Sequence, residues 1–257
     1  MKKIILVLSI SAIFLSAGMV LAQGDNKDSK IDNRPLEKIT VIHYKKDFAK
    51  PAPACGNGRC EKGENVYNCP ADCGGQTEPA LACYGFISKG AKIKQPANLV
   101  IGSGIDGGAV WDAAKTWDSN TSAVLFGNFA TASDANWDDI LPDGRNEISM
   151  GNYSQQGVIA ITNIWGYFGG PVGKREIVEF DVMFDSDFAW GNADANPSIM
   201  DWQNIAVHEL GHGLGLDDMY QSGCSQVTMY GYSGYGETSK RSLEAPDISG
   251  LHVLYGN

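Results

Sequence analysis

The stretch from His208 to Asp218, H-E-L-G-H-G-L-G-L-D-D, constrains the fold of this chain more than any other part of it. If a helix runs through its first five residues, His208 and His212 lie one turn apart on the same face and can hold one metal ion. Gly215 then lets the chain leave the helix and turn back, because glycine adopts left-handed conformations without steric cost. That turn would bring Asp218 up as a third ligand.

Such a ligand set predicts chemistry as well as binding. Two imidazoles, one carboxylate and a water make an open tetrahedral zinc site, and the open position distinguishes a catalytic zinc from a structural one. Zinc lowers the pKa of its water to about 7. Glu209 follows His208 directly, so it is placed to take a proton from that water and later return it to a leaving amine. The pattern therefore predicts hydrolysis of a peptide bond.

The third ligand and the motif itself both have alternatives. Asp217 adjoins Asp218 and could swing in, although the spacing favours Asp218. The other two histidines are His43 and His252. His252 lies in a C-terminal segment where a partly buried helix histidine is the expected role, so the third ligand should be an acid. H-E-x-x-H alone also occurs by chance on an apolar helix, where its histidines are ordinary half-buried residues.

A methionine follows the motif, within the segment Thr228–Tyr232. H-E-x-x-H-x-x-G-x-x-D followed by such a methionine resembles the metzincin metallopeptidases. The likeness is to matrixin-like enzymes, with an aspartate where most members carry a third histidine, a variant that resembles the snapalysin type. The resemblance implies a general base at Glu209, a structural Met229 beneath the metal, and three zinc ligands: His208, His212 and Asp218.

The first 22 residues are typical of a secretory signal. Lys2 and Lys3 precede an apolar core, and a small-residue cleavage site ends at Ala22. We therefore expect residues 1–22 to be a signal peptide and the protein to be secreted into the extracellular space or associated with the cell surface. An uncleaved membrane anchor is the alternative. After cleavage we expect no membrane contact.

The charge balance excludes some partners. The chain has 30 acidic and 20 basic residues and a net charge of −10, which is a poor match for nucleic acid or anionic lipid. An acidic surface suits calcium. The acidic loops at 134–143 and 181–187 are candidate sites for structural Ca2+, although neither has EF-hand spacing, and solvated loop acids are the alternative. We expect a monomer that takes a protein or peptide substrate.

Residues 23–54 are predicted to be a polar pro-segment or linker. They are charged at first, then contain one strand-like piece, Ile39–Tyr44, and a proline-bounded end. An inhibitory role for residues 23 to about 80 is a hypothesis. The matrixin latency motif, a cysteine within P-R-C-G, is absent. Nothing in the sequence supports His43 as a latency ligand.

The six cysteines fall into two groups. Residues 55–75 form a predicted cysteine-rich module whose four cysteines should staple it with two disulfides, of open connectivity. The alternative is a four-cysteine zinc site, but the C-x4-C and C-x3-C spacings are not typical of such sites. Cys83 and Cys224 remain, and in an exported chain we expect them to pair.

The catalytic domain is predicted at residues 81–257 and as an α+β fold, a mixed sheet under two helices. Asp106 opens an amphipathic helix to Trp117, and Asn196–Ser198 is expected to open the zinc helix. In metzincins an edge strand pairs with the extended substrate, a role that the resemblance gives to residues 157–165. Further strands are predicted at residues 97–102, 123–130, 146–151 and 176–184.

Three functions fit these observations. The first is a secreted zinc endopeptidase, which Glu209 supports because a structural zinc site has no use for a carboxylate facing an open coordination position. The second is a non-catalytic secreted adhesion or binding protein on a metallopeptidase scaffold, with the cysteine-rich module as its working part. The third is a metal-dependent hydrolase of another bond, such as an amide in cell-wall material.

Overall fold

The computed structural model describes residues 34–48, 82–138 and 140–257. The predicted signal peptide and the cysteine-rich module lie outside the described residues, as does most of the predicted pro-segment. The described residues all belong to one compact unit, Arg34–Asn257. Among them, no helix combines the length and the apolar character needed to cross a bilayer.

The described chain alternates short strands with a few helices. The α-helices are α1 (Gly107–Asp118), α2 (Trp202–Gly213) and α3 (Ala245–Tyr255). The strands are β1 (Glu37–Lys45), β2 (Gly85–Phe86), β3 (Lys92–Ile93), β4 (Ala97–Ile101), β5 (Phe126–Thr131), β6 (Asn146–Gly151), β7 (Val158–Tyr167), β8 (Glu176–Asp185), β9 (Trp190–Gly191), β10 (Met200–Asp201), β11 (Leu216–Asp217) and β12 (Tyr232–Ser233).

One mixed sheet organises the fold, in the order β12-β1-β7-β8-β6-β4-β5, with β3 also pairing with β8. Strands β4, β5, β6 and β8 run parallel to one another, whereas β7 is antiparallel to both β8 and β1. Helix α2 packs on α1 and against β7 and β8. Sheet and helices together make the α+β architecture that the sequence predicts.

Helix α1 forms as its sequence indicates. Its buried side chains recur at helical spacing and include Val110, Ala114 and Trp117. The carboxylate of Asp106 caps it by accepting from two backbone N–H groups at 3.0 and 3.1 Å. The indole N–H of Trp117 donates to the carbonyl oxygen of Val207 at 2.8 Å, in full burial. That bond joins α1 to the helix that carries the histidines.

Helix α2 begins later than the sequence suggests, so the expected start at Asn196–Ser198 is wrong. The helix starts at Trp202, and Asp201 is its N-cap, accepting from the backbone N–H of Asn204 at 2.9 Å. The side chain of Asn196 instead accepts from the backbone N–H of Ser198. The asparagine therefore stabilises a local turn, and the aspartate that follows supplies the cap.

Strand β7 is not an edge strand among the described residues, contrary to prediction. Strand β1 runs antiparallel along it from the Glu37–Gly166 pair to the Tyr44–Val158 pair. Ile39 and Val41 of β1 pack against the main core, while Ile42 packs against a second cluster on the other face of the sheet. The strand-like piece predicted near the N-terminus thus exists, and its place in the sheet is the unexpected feature.

The predicted pairing of Cys83 with Cys224 is confirmed, with a disulfide between them. It joins the chain entering β2 to the loop between Asp218 and Met229. Both sulfurs lie in a small buried cluster with Met219. The loop beyond the predicted metal ligands is therefore tied to the rest of the domain.

Candidate metal centre

Helix α2 and the turn after it bring the three predicted ligands together. His208 and His212 project from one face of α2, and their Nε2 atoms lie 3.1 Å apart. Gly215 turns the chain with φ +102°, and a Cβ at this position would lie 2.1 Å from the carbonyl oxygen of Ala91. Only glycine fits such a conformation and approach. The chain then places Oδ1 of Asp218 3.1 Å from Nε2 of His208 and 3.5 Å from that of His212.

These separations fit a small tetrahedral cation. Ligand atoms about 2.0–2.1 Å from a zinc ion lie about 3.3 Å from one another at the corners of a tetrahedron. Nδ1 of His208 donates to the carbonyl oxygen of Thr228 and that of His212 to Leu216, at 2.8 and 2.9 Å. Both Nε2 atoms therefore present lone pairs to the same point, the orientation that backbone partners give to metal-binding histidines.

Asp218 is the acid that faces this point, and Asp217 is not. Oδ1 of Asp218 is buried without a hydrogen-bond partner, whereas its Oδ2 accepts from the hydroxyl of Tyr220 at 2.7 Å. The side chain of Asp217 accepts from the backbone N–H of its neighbour at 3.0 Å instead. An unpartnered buried carboxylate oxygen between two imidazole lone pairs is the atom that a cation would satisfy.

Burial and the neighbouring charges together set the pKa values of these three groups. Burial, together with the nearby His43 and Lys240, lowers the pKa of His208 to about 3. Burial also opposes the charge on His212, but Asp218 outweighs it and raises the pKa to about 9. Burial would raise the pKa of Asp218, yet the two imidazoles hold it well below its ordinary value. Asp218 is therefore anionic and His208 neutral, whereas His212 carries a proton that a divalent cation would displace on binding.

The turn that contains Met229 supports α2 from below. Met229 is buried, and a Cβ at Gly211 of α2 would lie 2.4 Å from its sulfur. The carboxylate of Asp247 accepts from the backbone N–H groups of Thr228 and Met229 at 2.9 and 3.1 Å. Since the carbonyl of Thr228 in turn orients His208, Asp247 fixes the ligand through the turn.

Glu209 lies beside the ligands and is 1% exposed. Its Oε2 accepts from the hydroxyl of Thr162 on β7 at 2.6 Å. Its Oε1 lies 2.9 Å from Nδ1 of His43, which must donate this bond if Glu209 is ionised. The predicted general base is therefore held by two donors, one from β1 and one from β7, which are the second and third strands in the order of the sheet.

The sequence gives no indication that His43 belongs to this site. Its ring is fully buried and lies 4.0 Å from that of His208, centroid to centroid. Nε2 of His43 is 3.1 Å from the hydroxyl of Ser233, which also accepts from the ammonium of Lys240 at 2.7 Å. Burial, and then the charge of Lys240, hold the pKa of His43 well below its ordinary value. Alternation along β1 places His43 on the same face as Ile39, but it does not indicate that this face lies beside Glu209.

A second group of acids lies on the far side of β8. Carboxylate oxygens of Asp138, Asp143 and Glu179 lie within 4.8 Å of one another. Asp181 is fully buried nearby, and its Oδ2 has no hydrogen-bond partner. Burial, together with the surrounding acids Glu179, Asp138 and Glu147, raises the pKa of Asp181 to about 9. We call the first four residues the acidic corner.

Comparison with known proteins agrees with this geometry. Residues 96–256, more than half of the chain, match the Matrixin peptidase family. This chain belongs to the matrixin family. The matched residues include α2, all three candidate ligands and the turn with Met229. At the level of the family, this match supports a zinc metalloendopeptidase with an α+β fold.

Several animal proteases are similar to parts of this matrixin. It is 37% identical to human neutrophil collagenase over 76 residues, or 30% of the chain. It is 28% identical to rabbit macrophage metalloelastase over 130 residues, or 47% of the chain, and 36% identical to rat matrix metalloproteinase-16 over 91 residues, or 35%. The matches span only 15%, 26% and 14% of these relatives' own lengths.

Proposed function

We propose that this matrixin is a secreted zinc endopeptidase in which His208, His212 and Asp218 hold the metal and Glu209 is the general base. The observation that carries the proposal is the convergence of two oriented Nε2 lone pairs and one unpartnered carboxylate oxygen beside a buried glutamate. The signal-like residues 1–22 support secretion. The presence of Glu209 favours an enzyme over a non-catalytic scaffold.

The chemistry divides between the metal and the protein. A zinc ion at this site supplies a Lewis acid that acidifies water and polarises the scissile carbonyl. Glu209 accepts a proton as the water oxygen bonds to the carbonyl carbon, and it delivers that proton to the nitrogen as the carbon–nitrogen bond breaks. Thr162 orients the carboxylate by donating to its other oxygen. The products are one carboxylic acid and one amine.

The aspartate ligand distinguishes this proposal from a three-histidine site. Asp218 adds a negative charge to the ligand set, which a third neutral imidazole would not. The hydroxyl of Tyr220 donates a hydrogen bond to its second oxygen. We propose that Asp218, rather than Asp217, completes the snapalysin-type set. The support is the unpartnered, buried Oδ1 of Asp218 and the exposure of Asp217.

The test measures zinc content and cleavage of a quenched peptide library. The proteins are wild type, Glu209→Gln, Asp218→Ala and the matched neighbour Asp217→Ala. Each is assayed as the full chain and after the folded chain is cut at a protease site inserted within residues 49–81 and the N-terminal piece is removed. We expect Glu209→Gln to keep one zinc and lose about 10²–10⁴-fold in rate, the usual contribution of a general base.

Asp218→Ala should lose zinc, whereas Asp217→Ala should keep both zinc and activity. The reverse result for the two aspartates would move the third ligand to Asp217. A wild type that holds zinc but cleaves nothing, cut or uncut, would favour the binding-protein alternative. Cleavage that survives Glu209→Gln would remove the general-base assignment.

We further propose that the acidic corner binds calcium. Calcium prefers several carboxylate and carbonyl oxygens in a flexible cage. Three of the four acids have carboxylate oxygens close to one another, and two of the four, Asp138 and Asp181, have a buried oxygen without a hydrogen-bond partner. Backbone N–H groups of Asp143 and Gly144 donate to Glu179, which orders the loop around the group. The likeness to matrixins is consistent with a structural ion but does not assign these residues.

Calorimetric titration of the full chain with CaCl2 tests this second site. We expect wild type to bind calcium and Glu179→Gln to bind it at least about tenfold more weakly, since one charged ligand is lost. The matched control is Asp187→Asn in the neighbouring acidic loop, whose carboxylate accepts from Asn152. Equal calcium affinity in wild type and Glu179→Gln would contradict the assignment.

The remaining organisation is also a proposal. We propose a signal peptide at residues 1–22, a polar pro-segment or linker at 23–54, a disulfide-stapled module at 55–75 and a catalytic domain at 81–257, in a monomeric extracellular protein. The charge of −10 is consistent with a protein that avoids nucleic acid.

A further inference from the structure

We propose that residues 34–48 hold this protein in a latent form, because β1 lies in the substrate groove with His43 on the general base. The inference rests on the proposed function, since it concerns access to the same Glu209. It goes beyond that function by naming the occupant of the groove and the contact that blocks it. The occupant is a segment of the same chain.

The first support is how β1 is held. It pairs antiparallel with β7 through eight residue pairs and parallel with β12 at Tyr44–Tyr232 and Lys45–Ser233. A strand paired on both sides is bound by its backbone, which is how an extended peptide is recognised at a sheet edge. Without β1, the open edges of β7 and β12 face each other across a gap one strand wide. That gap is a groove for an extended chain, and it runs past α2.

The two ends of the segment are anchored as well. The guanidinium of Arg34 donates to the carbonyl oxygens of Tyr167 and Lys174 at 3.2 and 2.5 Å. At the other end, Lys46 pairs with Glu237 at 2.8 Å. A Cβ at Gly157 would lie 2.1 Å from the ring of Phe48, so that ring packs directly on the glycine. The segment is therefore seated along its whole described length.

The second support is what His43 does at the centre of the groove. With Nδ1–H donating to Glu209 and the hydroxyl of Thr162 donating to the other oxygen, each carboxylate oxygen already accepts a bond from a buried donor. Nε2 of His43 accepts from Ser233, whose oxygen accepts from Lys240. Each side chain in this hydrogen-bonded series, from Thr162 to Lys240, therefore has a partner, which stabilises the arrangement.

Burial completes the blockade. Glu209 is 1% exposed and the rings of His43, His208 and His212 are fully buried. A general base must lie within hydrogen-bond reach of the water that it deprotonates, and here an imidazole from β1 occupies one side of the carboxylate. A substrate strand also needs the backbone groups of β7 that β1 uses. The segment 34–48 therefore covers both the general base and the groove.

The contacts assign His43 to the general base and not to the metal. Both of its ring nitrogens are engaged, one by Glu209 and one by Ser233, whereas the three metal-facing atoms belong to other residues. Removing the side chain should therefore leave the zinc content unchanged. A latency ligand on the metal would give the opposite result, so zinc affinity separates the two arrangements.

The principal experiment compares the folded full chain before and after cleavage at a protease site inserted within residues 49–81, followed by removal of the N-terminal piece. The readout that does not depend on catalysis is fluorescence anisotropy of a labelled peptide with the sequence of residues 37–45. We expect at least a tenfold gain in peptide affinity after cutting, and a comparable gain in library cleavage. Unlabelled peptide 34–48 should then inhibit by competition, raising the apparent KM and leaving kcat unchanged.

Point variants of the uncut chain test the contact itself. His43→Ala removes a buried, charge-assisted hydrogen bond and should raise probe binding and cleavage about tenfold or more at unchanged zinc content. The matched control is His252→Ala in α3, whose ring contacts the carbonyl oxygen of Asn120 and lies outside the groove. It should behave as wild type. Circular dichroism establishes that each variant is folded.

The outcomes separate this inference from the proposed function. If cutting opens probe binding but nothing is cleaved, the blockade stands and the peptidase assignment fails. If uncut wild type binds the probe and cleaves the library as well as the cut protein does, latency is refuted and the peptidase stands. If His43→Ala loses zinc, the residue is a metal ligand and the assignment to Glu209 is overturned.

Discussion

The metal centre and the acidic corner are both clusters of ionisable side chains, yet the protein treats them differently. In the metal centre each ligand is oriented by a neutral partner: two backbone carbonyls for the histidines and a tyrosine hydroxyl for Asp218. In the acidic corner, acids face other acids, and Asp181 has a buried oxygen without a partner. The first cluster is organised before an ion arrives. The second depends on an ion, or on a proton, to offset its repulsion.

The largest expected effect separates the two sites directly. His212→Ala removes a metal ligand, and since loss of an outer partner already costs 10- to 100-fold, zinc affinity should fall by more than about 100-fold. The calcium affinity of the acidic corner should not change. Competition with a zinc-binding dye and calorimetry with calcium measure both. A variant that loses both ions would mean that the two sites are coupled through the fold.

Asp181→Asn should show that the acidic corner is under strain without an ion. Replacing a buried carboxyl among acids with its neutral isostere should raise the free energy of unfolding by about 2 kcal/mol in calcium-free buffer. For a domain of this size, that corresponds to about 4–8 °C in Tm. The stabilisation by added calcium should shrink. Thermal scans with EGTA and with calcium measure both, and a lower Tm for the variant in EGTA would contradict the account.

Tyr220→Phe tests whether the hydrogen bond from Tyr220 to Asp218 strengthens metal binding. The hydroxyl donates to Oδ2 of Asp218, so its loss should weaken zinc binding about tenfold and leave the fold intact. Tyr235→Phe is the matched control, because both tyrosines are 47% exposed. Equal zinc affinity in the two variants would show that Asp218 needs no orienting partner.

Asp201 provides a third case for comparison with the two clusters, because it is a buried acid that is paired with a cation, Arg241. Burial alone would raise its pKa, but hydrogen bonds from Arg241 and two backbone N–H groups hold the pKa below the ordinary 3.8. A lowered folded pKa adds stability above the unfolded pKa and loses it as the pH falls through the folded value. Asp201→Asn should therefore cost about 1 kcal/mol at pH 7, and this difference should shrink as the pH falls below 3.8 and through the lowered pKa of the folded state.

Urea unfolding at pH 7, 5 and 3.5 measures the difference in the free energy of unfolding between wild type and Asp201→Asn. The asparagine keeps an N-cap for α2, so the variant isolates the charge. Asp194→Asn is the control, since Asp194 also pairs with Arg241 at 2.5 Å but is 64% exposed, where an ion pair contributes little. A difference between wild type and Asp201→Asn that grows as the pH falls would have the wrong sign.

Sequence reasoning works where the determinants are local. The cap by Asp106, the periodicity of α1, the turn at Gly215 and the spacing of the ligands all depend on neighbours in the chain. The predicted strands recur in the structure for the same reason. The start of α2 fails because Asn196 and Asp201 are both good caps, and the contact of Asp201 with Arg241, which decides between them, is distant in sequence.

The residues missed at the site share one property: each reaches it from another element. Thr162 comes from β7, Ser233 from β12 and Lys240 from the segment before α3. His43 comes from a strand whose pattern predicts only that it is half-buried. Period-two alternation identifies the inward face of β1, but it does not say which strand will be its neighbour. Strand order depends on long-range packing, so no local signal could have placed His43 on Glu209.

The position of β1 has a consequence for the behaviour of the protein in solution. Strand β7 is ten residues long and almost wholly buried, and β1 covers its outer edge. A long apolar strand with an open edge is a template for pairing with other chains, and native proteins cover such edges. A chain that has lost β1 would therefore self-associate more readily at high concentration than the intact one. Colloidal stability and the covering of the groove depend on the same nine-residue strand.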